Sequence, residues 1–214
     1  MSTIRILAMG LALLTAGCES TYYSVWEKLG VEKRDIMTKR VEKARDSQQE
    51  AQEQFRSALE QFKATVSFDG GELESAYRKL NSEFEDSEEA AETVRERISD
   101  IESVADALFA EWEDEIDLYT NANLKRDSQA KLNDTRRQYA QLLKTMRRAE
   151  ARLDPALDAM RDQVLYLKHN LNARAIQSIK GEVVSINREV DKLISAMEAA
   201  IKEADRFISQ LQAG

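Results

Sequence analysis

Apolar and small side chains recur every three or four residues from Leu73 to Tyr119, and this rhythm restricts the fold more than any other feature of the chain. The positions are Leu73, Tyr77, Leu80, Phe84, Ser87, Ala91, Val94, Ile98, Ile101, Ala105, Leu108, Trp112 and Tyr119. Alternating steps of four and three draw one stripe along a helix. That stripe stays against a partner only if the helices wind around each other left-handedly. Glu115 interrupts it, and Ile116 offers an apolar side chain one place later.

The same rhythm runs unbroken through Ile176, Ile179, Val183, Ile186, Val190, Leu193, Met197, Ala200, Ala204, Phe207 and Leu211, with Gly181 off the stripe. A third stripe joins Leu132, Thr135, Tyr139, Leu142, Met146, Ala149, Leu153, Met160, Val164, Leu167 and Leu171. Pro155 lies inside it and predicts a kink or short break near Leu153–Asp154, because proline removes a helical donor and crowds the preceding turn. The first stripe is weaker: Met37, Val41, Ala44, Ala51, Phe55, Ala58, Phe62 and Val66, with Gln48 on the seam. Its small residues predict a close helix approach between Ala44 and Ala51.

One proline and seven glycines are too few for the turns of an all-β chain of this length. The expected fold is therefore all-α, with helices at about 31–67, 72–120, 123–170 (kinked near 155) and 173–212. Phe68–Gly71 reads as a turn, Thr120–Asn123 as the end of the second helix, and Asn170–Asn172 as the third boundary. Short connections make neighbours antiparallel. The predicted architecture is a coiled-coil four-helix rod, or two long antiparallel helical hairpins laid together. The second helix is strongly acidic and the third basic, which favours their pairing; a solvated face of each sign is the alternative.

Residues with catalytic chemistry are sparse. His169 is the only histidine and sits at an expected helix end, where a cap or surface role fits. The acidic run Glu111–Asp117 lacks the glycine-centred loop of a calcium site and reads as a solvated helix face. Gly70–Gly71 does not continue into a phosphate-binding loop. No catalytic residue, metal ligand set or resident cofactor is expected, and a net charge of -8 argues against nucleic acid as the partner.

The N-terminus carries an address. Arg5, an apolar run from Ile6 to Leu14, and the small residues Ala16 and Gly17 precede Cys18, the only cysteine. Residues 1–17 read as a secretory signal peptide, and their apolar run is short of the roughly 20 residues that span a bilayer. Leu14–Cys18 resembles the lipobox of bacterial lipoproteins, with Thr15 where leucine is usual. The resemblance implies diacylglycerol on the Cys18 thiol and an acylated Cys18 as first mature residue. Glu19, where aspartate would imply inner-membrane retention, implies sorting to the outer membrane, facing the periplasm. An ordinary cleavable signal beside a chance cysteine is the alternative. Residues 18–30 would form a lipidated tether whose Tyr22, Tyr23 and Trp26 either meet the membrane interface or pack on the base of the bundle. The helical domain would occupy 31–214.

Lys33–Ile36, Phe68–Leu73, Asp86–Ala91 and above all Leu165–Ile176 resemble an uncharacterised family of bacterial lipoproteins, domain-of-unknown-function family 2959. The resemblance covers nearly everything after Cys18 and implies a lineage without an activity. The expected protein is thus a non-enzymatic, lipid-anchored periplasmic coiled coil. It would serve as an envelope scaffold or a partner-binding rod, with the membrane and a protein partner or a second copy as its contacts. The alternative is a lipid-binding or membrane-remodelling helical protein.

Overall fold

In the computed structural model, which describes residues 33–67 and 73–213, α1 spans Lys33–Val66 and α2 spans Leu73–Leu118. α3 spans Ala122–Glu150, α4 Leu153–His169 and α5 Ala173–Ile179; a 3₁₀ turn, Lys180–Glu182, leads into α6, Val183–Ala213. No strand occurs among the described residues. The fold is all-α, as its rhythm requires.

Direction follows from a few side-chain ties. Lys33 pairs with Glu111, Arg40 with Asp100, and Gln54 bonds Glu83, so α1 and α2 are antiparallel. Arg45 pairs with Asp205 and Lys63 bonds Asn187, which makes α6 antiparallel to α1 on its other side. α3 and α4 together form the fourth staff, lying between α2 and α6. At 1.5 Å per residue, the 46 residues of α2 make it about 69 Å long.

The stripes become the core. Met37, Val41, Phe55, Phe62, Leu80, Val94, Ile98, Ile101, Leu142, Met146, Leu153, Val190, Leu193, Met197 and Phe207 are all buried, as are the small residues Ala44, Ala51, Ala91, Ala200 and Ala204 between them. Two stripe-end assignments fail. Tyr119 is 44 % exposed, and Ile116, the side chain one place after Glu115, takes the buried position instead. Leu171 is 38 % exposed, since it falls in the connection between α4 and α5 where no helix faces it.

The break that Pro155 predicts lies two residues before Leu153–Asp154. α3 ends at Glu150, the N–H of Arg152 bonds the Ala149 carbonyl at 3.0 Å, and α4 restarts at Leu153. Proline thereby falls in the first turn of α4, where its missing N–H has no intrahelical partner to lose. The expected continuous helix over 173–212 is likewise interrupted, by the 3₁₀ turn around Gly181. Glycine is the weakest helix former after proline, and the apolar rhythm passes through the tight turn with Ile179 and Ile186 still buried. The expected turn at Phe68–Gly71 lies outside the described residues.

Candidate functional site

Cys18, Tyr22, Tyr23 and Trp26, the residues to which the sequence gives lipidation and interface roles, lie outside the described residues. What the structure does place is the point where their segment joins the rod. Lys33 opens α1, and its ammonium sits 2.7 Å from the Glu111 carboxylate. Leu211 and Gln212, near the end of α6, line a cleft with Arg34, Asp35 and Thr38 of α1. The start of α1, the end of α6 and the α2–α3 turn therefore share one end of the rod.

That turn is held by its own polar groups. Asn121 caps α3, its side-chain oxygen accepting from the N–H groups of Asn123 at 2.9 Å and Leu124 at 3.3 Å. The expectation that Thr120–Asn123 closes α2 needs correction: α2 stops at Leu118 and Asn121 serves the next helix. The Lys125 ammonium reaches Asp117 at 2.9 Å, and the Trp112 indole N–H donates to Ser128 Oγ at 2.9 Å. Between these fastenings three large apolar side chains face outward: Leu118 is 80 % exposed, Leu124 53 % and Tyr119 44 %. Sequence reading missed this patch. Its only trace was two leucines off the stripes beside a helix boundary.

Acidic α2 does meet basic α3, and it meets Arg161 of α4. Glu113 pairs with Arg136 at 2.6 Å, Glu88 with Arg161 at 3.0 Å, and Glu102 with Arg147. Arg95 to Asp154, at 2.6 Å, runs the opposite way. Exposed pairs of this kind contribute about 0–1 kcal/mol each, so they select the neighbour more than they stabilise it. Arg136 also lies over the Phe109 ring, 5.2 Å from its centroid, and Phe109 meets Tyr139 edge to face at 5.4 Å. The acidic run Glu111–Asp117 is thus partly engaged: Glu111, Glu113 and Asp117 each hold a cation. Among the described residues, no group of three or more His, Cys, Asp or Glu could hold a metal ion. His169 is exposed in the last turn of α4.

Burial pushes the Tyr139 phenol up to about 12, with Glu102 and Asp106 adding to the rise and Arg147 opposing it. A raised folded value means that the folded chain holds this proton more tightly than the unfolded one. The resulting stability is complete below the usual tyrosine value near 10 and is lost as pH rises from there towards about 12. In a spectrophotometric titration, Tyr139 should ionise last in the folded protein, with Tyr77 also raised by burial and Glu85, and both should ionise normally in urea. Tyr139→Phe should remove the last step; an unchanged titration would place the last phenol elsewhere.

A solvent-open groove of about 690 Å³ lies between α3 and α6, lined by Arg148, Arg152, Arg188 and Lys192 over Ala196 and Ala199. Lys192 holds the Glu189 carboxyl below its usual range, chiefly through a 2.7 Å hydrogen bond, with Arg152 and Arg188 contributing through space. Asp191 lines it too, so four cations face one carboxylate in this trough.

An elongated, antiparallel four-helix bundle with charged outer faces, joined at one end to the residues before Lys33, is the class of protein these features define. The chain belongs to domain-of-unknown-function family 2959, proteins of unknown function, whose family model matches residues 22–211. A search of curated proteins finds no match. No helix among the described residues is long and apolar enough to cross a membrane.

Proposed function

We propose that this protein is a non-enzymatic, lipid-anchored rod of the bacterial cell envelope, held at a membrane by acyl chains on Cys18 and serving as a scaffold or partner-binding spacer facing the periplasm. The observation that carries this reading is the position of Lys33. Residues 1–32 join the bundle at its end, beside Glu111, so a tether there leaves the long charged faces free for a protein partner. The four stripes close on one another within one chain, and Glu88, Glu102 and Glu113 of α2 pair it with its neighbours. Such a body is built for length and surface.

Each buried acyl CH₂ contributes about 0.8 kcal/mol, so two or more chains make attachment effectively stable without a spanning helix. Metabolic labelling with a fatty acid tests the anchor. Wild type should carry label and fractionate with membranes, whereas Cys18→Ala should carry none and leave the membrane fraction. Equal label in both would defeat the reading.

A further inference from the structure

We propose that the α2–α3 turn is a second membrane contact, seating Leu118, Tyr119 and Leu124 among the headgroups of the bilayer to which the N-terminal segment is tethered. The inference rests on the tethered-rod reading and goes beyond it by assigning a lipid surface to a patch within the folded domain.

Geometry is the first support. Lys33 stands level with Glu111, and α2 runs on for seven more residues to Leu118, about 10 Å further along the axis. The fifteen steps from Cys18 to Lys33 extend to at most about 50 Å, so a tether of that length lets the turn reach the surface that holds Cys18.

Chemistry is the second support. A patch bound for an interface needs apolar side chains outside and few polar groups left needing water. The turn has both. Asn121 takes up the N–H groups of Asn123 and Leu124, its own carbonyl accepts from Lys125 at 3.0 Å, and Tyr119 N–H reaches Ile116 at 3.4 Å. Lys125 is neutralised by Asp117, and Arg126 bonds the Asn123 side chain. Partial dehydration of the turn's backbone therefore strands little. Tyrosine beside leucine suits a boundary where a ring is buried and its hydroxyl stays wet. The remaining large exposed apolar residues, Leu165, Tyr166, Leu171 and Val184, lie towards the opposite end.

The test uses the full chain purified from membranes, in which acylation has consumed the Cys18 thiol. A maleimide fluorophore is placed through Asn123→Cys at the turn or Gln177→Cys at the far end. Each protein is mixed with vesicles of phosphatidylethanolamine and phosphatidylglycerol carrying a nitroxide lipid. The expected result is strong quenching at 123 and little at 177, with quenching at 123 lost when Leu118→Ser and Leu124→Ser are added although the protein still floats with vesicles. A floating protein whose 123 label is quenched no more than the 177 label overturns the proposal and leaves the anchor standing. A chain without added cysteines that takes up dye at Cys18 and fails to float defeats the anchor, and this inference with it. Dimers that dissolve on the double serine change, with no quenching at 123, would assign the patch to a second copy and overturn the lipid contact.

Discussion

Phe55→Ala is expected to remove about 3–5 kcal/mol of unfolding free energy, the usual cost of deleting a buried ring, and to lower the melting temperature by roughly 6–20 °C for a domain of this size. Phe55 has no exposed surface. One residue before it, Gln54 donates to the Glu83 carbonyl and carboxylate at 3.0 Å; three before it, Gln52 donates to the Ile194 carbonyl at 3.4 Å. The ring therefore sits where α1 is fastened to both α2 and α6. Its stripe neighbours Ala51 and Ala58 are fully buried and too short to swing into the space left behind. With α1 tied on both sides, the site has little freedom to collapse, and the cavity term should approach its upper range. Urea unfolding followed by circular dichroism should show a lower midpoint with an unchanged slope. Leu124→Ala, on the exposed turn, should stay within about 0.5 kcal/mol of wild type in the same assay. A Phe55→Ala loss under about 1 kcal/mol would mean that the α1 stripe is not core.

The rod was legible because a heptad stripe records which side chains have a neighbour opposite, and in a long bundle that information repeats dozens of times. Its errors fall where the neighbour runs out. Tyr119 and Leu171 continue the spacing correctly, yet each lies beyond the last residue of a helix, where spacing no longer says what is buried. Pro155 announced a break, but the break lies at Ala151–Arg152, because proline is best accommodated inside the first turn of the helix that follows. Charge sign foretold that α2 would meet α3. Individual partners were hidden because they depend on register, which Arg95 to Asp154 illustrates by reversing the rule. The apolar turn was hidden for the opposite reason. Leu118 and Leu124 belong to no periodic pattern, so only a surface shows that they stand together.

Gln48→Met is expected to stabilise the protein by about 1–3 kcal/mol, because an unsatisfied buried amide carries a desolvation penalty of that size, and to raise the melting temperature by roughly 2–12 °C. Gln48 is 1 % exposed, and neither its Nε2 nor its Oε1 has a hydrogen-bond partner. Its surroundings explain both facts. Arg45–Asp205 on one side and Gln52–Glu198 on the other set this stretch of α1 against Ala200 and Ala204, while Arg40–Asp100 and Gln54–Glu83 set it against Ala91. All three alanines are fully buried. Small residues opposite leave room for a long side chain but offer it no polar group. Methionine keeps the unbranched length and removes the polar atoms, whereas Gln48→Ala removes them and leaves a hole, so Met should exceed Ala in stability. A destabilised Gln48→Met protein would show instead that buried water completes the amide's hydrogen bonds. A polar residue on an apolar seam is retained in coiled coils where it fixes register or excludes other assemblies. Here a slip of one turn would carry the amide into the place that Ala44 or Ala51 fills, away from the alanines that accommodate it. The stabilised Gln48→Met rod should accordingly tolerate alternative pairings, seen as extra species in analytical ultracentrifugation where wild type gives a single one.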